Sequence, residues 1–296
     1  MKILLVYNPH AGNDSAKKIL PDVEKCLVKR NIDFDLRLTD YPEHATRIIS
    51  EADFGQYDAV AAAGGDGTLF EVVNGYYKNL SGTRIPLAVI PIGTGNAFAR
   101  DLKMTDLSYK DAIDIMAEGK TRKIDVGKFT THGEEYYFVN ILGIGFVVDV
   151  TETARRLKLF GNLAYLLGVI WQTIFLKPYH LKMEIDGTLQ EMEAMFTEIS
   201  NTRYTSNFLM APGAKIDDGK FDITVLKKIG RLQLLKALPT VFTGDHVKLP
   251  IVKTWQGEKI KVITNTPKVL TPDGELLGIS PVEVECLKQD IEVFWR

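Results

Sequence analysis

Cysteine is nearly missing from this chain of 296 residues: Cys26 and Cys286 are the only two, far apart and in no C-x-x-C spacing. That excludes a disulfide-built scaffold and fits free thiols in a reducing cytoplasm. Histidine is also sparse, and His10, His44, His132, His180 and His246 form no H-E-x-x-H or Cys/His cluster, which leaves a zinc centre without ligands. Net charge is lacking too. With 38 Asp and Glu against 36 Lys and Arg the formal charge is −2, so no general basic field points to a nucleic-acid partner. No repeat or low-complexity tract stands out. The opening run Ile3-Leu4-Leu5-Val6-Tyr7 is short and passes into Asn8-Pro9 rather than a small-residue cleavage site, so it reads as a buried strand and not a signal peptide.

What is present is glycine at chosen places. Gly64-Gly65-Asp66-Gly67-Thr68 follows the apolar run 57–63 and opens a segment of helical spacing. Strand, glycine loop and helix start together make a phosphate seat, because backbone N–H groups approach an anion with no Cβ in the way and the helix N-terminus adds partial positive charge. Asp66 is the odd residue there. A carboxylate facing phosphates is repelled unless a cation intervenes, so the loop reads as a site for a metal-loaded nucleotide. Thr68 and Glu71 also fit a T-x-x-E capping box, the plainer reading of those two residues.

The same unit recurs. Asn8-Pro9-His10-Ala11-Gly12 follows the first strand, and Gly93-Thr94-Gly95-Asn96 follows Ile85–Pro91 and precedes a helical run from Ala97 to Leu102. A helix over 16–29, with Pro21 as a break, a strand over 33–38 and a helix over 43–52 fill the intervals. Such alternation predicts a parallel sheet with helices on its faces and ligands beyond the carboxyl ends of its strands.

Beyond residue 125 the texture becomes β-rich. Strands are predicted over 135–141, 181–185, 192–200, 221–226, 259–264 and 282–286, which suggests an antiparallel sandwich or barrel. Two domains follow, 1–125 and 126–289. The most apolar stretch, 159–176, would reach ~27 Å as a helix, but Gly161, Asn162, Tyr165, Gly168, Gln172 and Thr173 gather on one side of it. It is either a core helix or one lying at a membrane interface, where Arg155, Arg156, Lys158 and Lys177 would suit anionic headgroups. The turns Lys215-Ile216-Asp217-Asp218-Gly219-Lys220 and Pro272-Asp273-Gly274-Glu275 have the composition of ordinary hairpin turns.

Taken together, G-G-D-G-T, G-T-G-N, the D-D-G turn and the late D-G-E resemble the diacylglycerol kinase catalytic family, in its bacterial soluble lipid kinase branch related to sphingosine and ceramide kinases. The likeness covers nearly the whole chain, with Ile124-Asp125-Val126-Gly127, Asn140 to Phe146 and Ala211-Pro212-Gly213-Ala214 also in place. It implies a nucleotide-binding α/β domain, completed by 290–296, and a β-rich lipid-substrate domain, with the nucleotide in the cleft between them. By family pattern, ATP is held by Asn8, Pro9, His10, Ala11, Gly12, Thr39, Gly64, Gly65, Asp66, Gly67, Thr68, Leu69, Phe70 and the loop Gly93, Thr94, Gly95, Asn96. Glu275 or Asp273 acts as the base, Asp66 joins the catalytic set, and Asp218 with the carbonyls of Lys215 and Lys220 holds a structural Mg2+.

Two departures stand out: Ala97 replaces an Asp common after the G-T-x motif, and Val147 replaces another, with Asp149 two residues on. The implied activity is phosphoryl transfer from ATP to a hydroxyl of a diacylglycerol-like or sphingoid lipid, peripherally at the cytoplasmic face of the inner membrane, with no nucleic-acid partner. A homodimer is left open. The rivals are an NAD kinase-like nucleotide kinase and a nucleotide-binding lipid sensor impaired in catalysis.

Overall fold

Buried aliphatic strands feeding amphipathic helices build the first half of the protein. The computed structural model describes every residue except 13, 103, 105–107, 146–176 and 207. The apolar stretch 159–176, the basic residues Arg155, Arg156 and Lys158, and the positions Val147 and Asp149 therefore lie outside the described residues. The chain divides into two units, Met1–Val126 with Lys288–Arg296, and Gly127–Leu287.

In the first unit the order is β1 (Lys2–Tyr7), α1 (Ser15–Lys29), β2 (Asp33–Leu38), α2 (His44–Ser50), β3 (Ala59–Gly64), α3 (Asp66–Lys78), β4 (Leu87–Pro91), α4 (Ala97–Asp101), α5 (Tyr109–Glu118) and the start of β5 (Thr121–Thr131). The strands run parallel in the order β2-β1-β3-β4. The last strand of the chain joins β4 in parallel through Val293 and Leu87. All six residues of β3 are buried, as a strand covered on both faces requires. The chain order reverses on either side of β1, and in such sheets the switch point beyond the strand ends is where ligands bind.

Pro21 does not break α1, which runs through it from Ser15 to Lys29. The bond Pro21 forfeits is to the carbonyl of Lys17, and both residues are exposed, so water can replace it. The helix packs through Ala16, Val23 and Leu27 on its other side.

The second unit continues with β6 (Glu134–Phe138), β7 (Ile141–Gly145), β8 (Tyr179–Ile185), β9 (Thr188–Ser200), β10 (Tyr204–Thr205), β11 (Phe208–Leu209), β12 (Phe221–Lys227), α6 (Arg231–Ala237), β13 (Val252–Gly257), β14 (Lys259–Thr264), β15 (Leu270–Pro272) and β16 (Val282–Phe294). Its ladders are antiparallel. Strand β9 pairs with β8 through its first half and with β7 through its second, while β12 lies along that second half. The inward residues, among them Phe138, Leu142, Tyr179, Ile199, Phe221 and Val262, form one core cluster.

The single strand expected over 135–141 is two strands, β6 and β7, parted at Val139 and Asn140. The N–H groups of both go to the carboxylate of Asp273 instead of a ladder partner. Here a side chain distant in sequence decides where a strand ends.

Candidate active site

Three loops leave the carboxyl ends of β1, β3 and β4 and lock onto one another. The N–H of Asn8 donates to the carbonyl of Ala63 at 2.9 Å, and the N–H groups of Ile92 and Gly93 donate to the carbonyl of Gly64 at 3.0 and 3.1 Å. Asn8 also donates through Nδ2 to Thr68 Oγ1 at 3.0 Å and accepts from the N–H of His10 on its Oδ1. Glycine is demanded at these contacts. A Cβ on Gly12, whose φ is +60°, would stand 2.8 Å from the carbonyl oxygen of Ile92, and one on Gly93 would stand 2.9 Å from the nitrogen of Gly65. A Cβ on Gly64 would meet the Thr68 side chain.

Helix α3 starts on Gly65 with no side chain capping it, so the amides of its first turn look out of the helix end. An uncapped helix end of this kind is favourable for an anion. The T-x-x-E capping box is not formed. Thr68 lies inside α3, and Glu71 reaches across to the start of α2, accepting from the N–H groups of Glu43 at 2.9 Å and Ala45 at 3.0 Å. Leu69 and Phe70 are buried, so their side chains serve packing and only their backbones remain for a ligand. Thr39 is buried at the end of β2, its N–H on the carbonyl of Tyr7, whereas Thr94 is exposed on its loop.

Asp66 turns toward α4. Its carboxylate accepts from the N–H of Phe98 at 3.4 Å, and a Cβ on Gly95 would stand 2.9 Å from its other oxygen. Burial of the carboxyl pushes its pKa up, opposed by the amides of Ala97, Phe98 and Asn96 and by the charge of Arg100. The carboxylate thus has partners within the protein, and it ties the first glycine loop to the second. Charge alone does not require a cation beside it. At Ala97 the backbone amide is what is used.

In the second unit the D-G-E element is a tight turn. Asp273 has φ +47° and Gly274 φ +87°, and the N–H of Glu275 closes on the carbonyl of Pro272 at 2.8 Å, the pattern of a type I′ turn. The backbone is not extended, so residues 273 and 275 do not share a face. Asp273 is buried, and its two oxygens accept from Val139 at 3.0 Å, Asn140 at 2.8 Å and Ile141 at 3.0 Å. Glu275 is half-buried at the outer end of the turn. Of the two acids, Asp273 is engaged in holding three backbone amides.

The turn 215–220 carries two carboxylates, Asp217 and Asp218. Asp218 Oδ1 accepts from the N–H of Lys220 at 3.1 Å, and Gly219 between them has φ +81°. The neighbouring Asp222 has its pKa pushed up, first by burial; a bond from Gln256 opposes the shift and the charge of Asp218 adds to it. Hard oxygen donors beside two repelling carboxylates fit Mg2+ better than a softer metal. Among the described residues there is no group of three or more His, Cys, Asp or Glu side chains that could hold an ion.

One buried acid escaped the sequence reading. Glu198 is fully buried in β9, opposite Gly143 of β7 and Thr224 of β12. Its Oε1 accepts from Ser200 Oγ at 3.0 Å and Thr205 Oγ1 at 2.8 Å, while Oε2 has no partner among the described residues. Burial pushes its pKa up to about 7, against the two hydroxyls. The available signal was a Glu inside the otherwise apolar run Met195-Phe196-Thr197-Glu198-Ile199.

The comparisons with known proteins match the chain in two parts. The family model described as diacylglycerol kinase catalytic domain matches residues 2–129, and that of a C-terminal NAD kinase beta sandwich-like domain matches residues 140–295. The chain is 32% identical to a diacylglycerol kinase of Bacillus subtilis, over 98% of this chain and 94% of that protein. It is 33% identical to one of Staphylococcus saprophyticus over the same shares. A crystal structure of a diacylglycerol kinase from Bacillus anthracis superposes with a TM-score of 0.81 at 27% identity, covering 100% of this chain and 97% of that one. With an α/β parallel-sheet domain ahead of a β-rich domain and a relative aligned along nearly its full length, the chain belongs to the diacylglycerol kinase catalytic family, whose members are phosphotransferases with an alcohol group as acceptor.

Proposed function

We propose that this protein is an ATP- and Mg2+-dependent lipid kinase that phosphorylates a hydroxyl of a diacylglycerol-like or sphingoid lipid at the cytoplasmic face of the membrane. The observation that carries the reading is the triple glycine contact, Gly12 on Ile92, Gly65 on Gly93 and Gly64 on Thr68, which leaves backbone amides around the uncapped end of α3. Amides fixed in advance stabilise phosphoryl oxygens without reorganising during transfer. Asn8, Thr68 and Asp66 hold these loops in register.

Bound ATP with its metal supplies the phosphoryl group and offsets its charge. Asp218 and the carbonyls of Lys215 and Lys220 are the proposed Mg2+ donors, a structural position rather than a reacting one. An alcohol is a weak nucleophile near neutral pH, so a carboxylate within hydrogen-bond reach assists as its proton leaves. Glu275 takes this role, and Asp273 keeps the turn that presents it.

The test is incubation of purified protein with γ-labelled ATP and a panel of dispersed diacylglycerols, ceramides and sphingoid bases. Label transferred to lipid supports the proposal, and the best acceptor names the substrate. Label passing to NAD without any lipid, or ATP binding with no transfer across the panel, rejects it.

A further inference from the structure

The chain is slightly acidic overall, but residues 227–250 hold Lys227, Lys228, Arg231, Lys236 and Lys248 against the single acid Asp245. Asp245 is already paired with Lys248 at 2.6 Å. Lys228, Arg231 and Lys236 are exposed and enter no ion pair among the described residues. Helix α6 lies within this segment. It buries Leu234 in a second apolar cluster with Phe196, Met210 and Leu226. Leu232 and Leu235, three residues apart and so on one face, turn the other way and are 77% and 38% exposed. Phe242, just beyond, is 54% exposed and packs against Phe208 with ring centroids 4.9 Å apart.

Exposed aliphatic side chains carry a cost in water that a solvated face does not require, and here they stand among cations that enter no ion pair among the described residues. Basic residues around projecting leucines on a short amphipathic helix are complementary to an anionic lipid surface: the cations meet headgroups while the leucines enter the acyl boundary. An acidic protein partner would match the charges but not three scattered apolar tips. A second copy of this segment would set cation against cation. The buried contacts of Leu234 and the bond of His246 Nε2 to the carbonyl of Met210, 3.0 Å, hold the segment in place beneath the exposed side chains.

We propose that α6 and the turn after it, through Leu232, Leu235 and Phe242 with Lys228, Arg231 and Lys236, form the docking surface of this protein on anionic bilayers. The inference builds on the lipid-kinase reading but uses residues outside the proposed transfer machinery.

Sedimentation with vesicles tests it, using phosphatidylcholine alone and phosphatidylcholine with about one-third phosphatidylglycerol. The wild type is expected to partition to the anionic vesicles, and less so at high salt. The variant L232S/L235S should lose partitioning by about tenfold or more, and R231Q and K236Q by about fivefold each. All three should phosphorylate a water-soluble short-chain acceptor as the wild type does. Because these positions are exposed, circular dichroism should report an unchanged fold. Partitioning of L232S/L235S equal to that of the wild type overturns the proposal, as does wild-type binding indifferent to anionic lipid. A dimer in sedimentation velocity that the same variant dissociates also overturns it, in favour of a second copy. Failure of every protein to phosphorylate the short-chain acceptor, with vesicle binding intact, instead counts against the lipid-kinase reading alone.

Discussion

The glycine loops of the first unit and the D-G-E turn of the second both set a carboxylate against backbone amides, yet they use it in opposite senses. In the loops, Asp66 occupies amides at the start of α4 and so leaves the first-turn amides of α3 open. In the turn, Asp273 occupies the amides of Val139, Asn140 and Ile141 and fixes the backbone that leads to Glu275. A carboxylate saturated by N–H donors acts as a brace.

The strongest way to break this comparison is to exchange the fates of the two acids in one turn. On the proposed role, Glu275→Gln should lower kcat by about 10²–10⁴-fold, with a smaller loss of melting temperature than at Asp273, because the acid is proposed as the proton acceptor. Asp273→Asn turns an amide NH2 toward buried N–H donors. It should destabilise the protein by about 2–4 kcal/mol in denaturant titration, with activity falling in step. Equal melting temperatures for the two variants would sink the distinction.

On the loop side, Gly93→Ala sets a methyl group 2.9 Å from the nitrogen of Gly65, so the phosphate loop must shift. A displacement near 1 Å costs about 100-fold in turnover. The kinetic constants for ATP should move accordingly, while vesicle binding stays as in the wild type.

An effect on stability alone, without loss of turnover, is expected at Glu198, which accepts from two hydroxyls. Its folded pKa of about 7 lies above the ordinary 4.5. The neutral form therefore stabilises the fold at low pH, and that stability is lost as pH rises through the folded value. Glu198→Gln should match the wild type at about pH 4 and exceed it at about pH 8 by up to roughly 3 kcal/mol. A difference that does not depend on pH would mean the carboxyl is not neutral in the fold.

Much of the first unit was legible in the residues. Apolar runs ending in Asn8-Pro9, Gly64-Gly65 and Gly93-Thr94 announce parallel strands and their loops, since only glycine tolerates those approaches. The second unit was less open to reading. Strand β5 and strand β13 were passed over, β6 and β7 were merged, and β16 was cut short at 286. Its strands are set by cross-strand partners far apart in sequence, which local pattern does not carry. Among the described residues no helix is long and apolar enough to cross a membrane, and the apolar stretch 159–176 lies outside them.

The chain on its own determined which residues could cradle phosphate and which acids were at hand, because glycine and carboxylate chemistry is local. Only the tertiary structure decided which carboxylate is spent on the scaffold. That depends on backbone amides more than 130 residues from Asp273 arriving within 3.0 Å of it, and no spacing in the sequence encodes such a meeting.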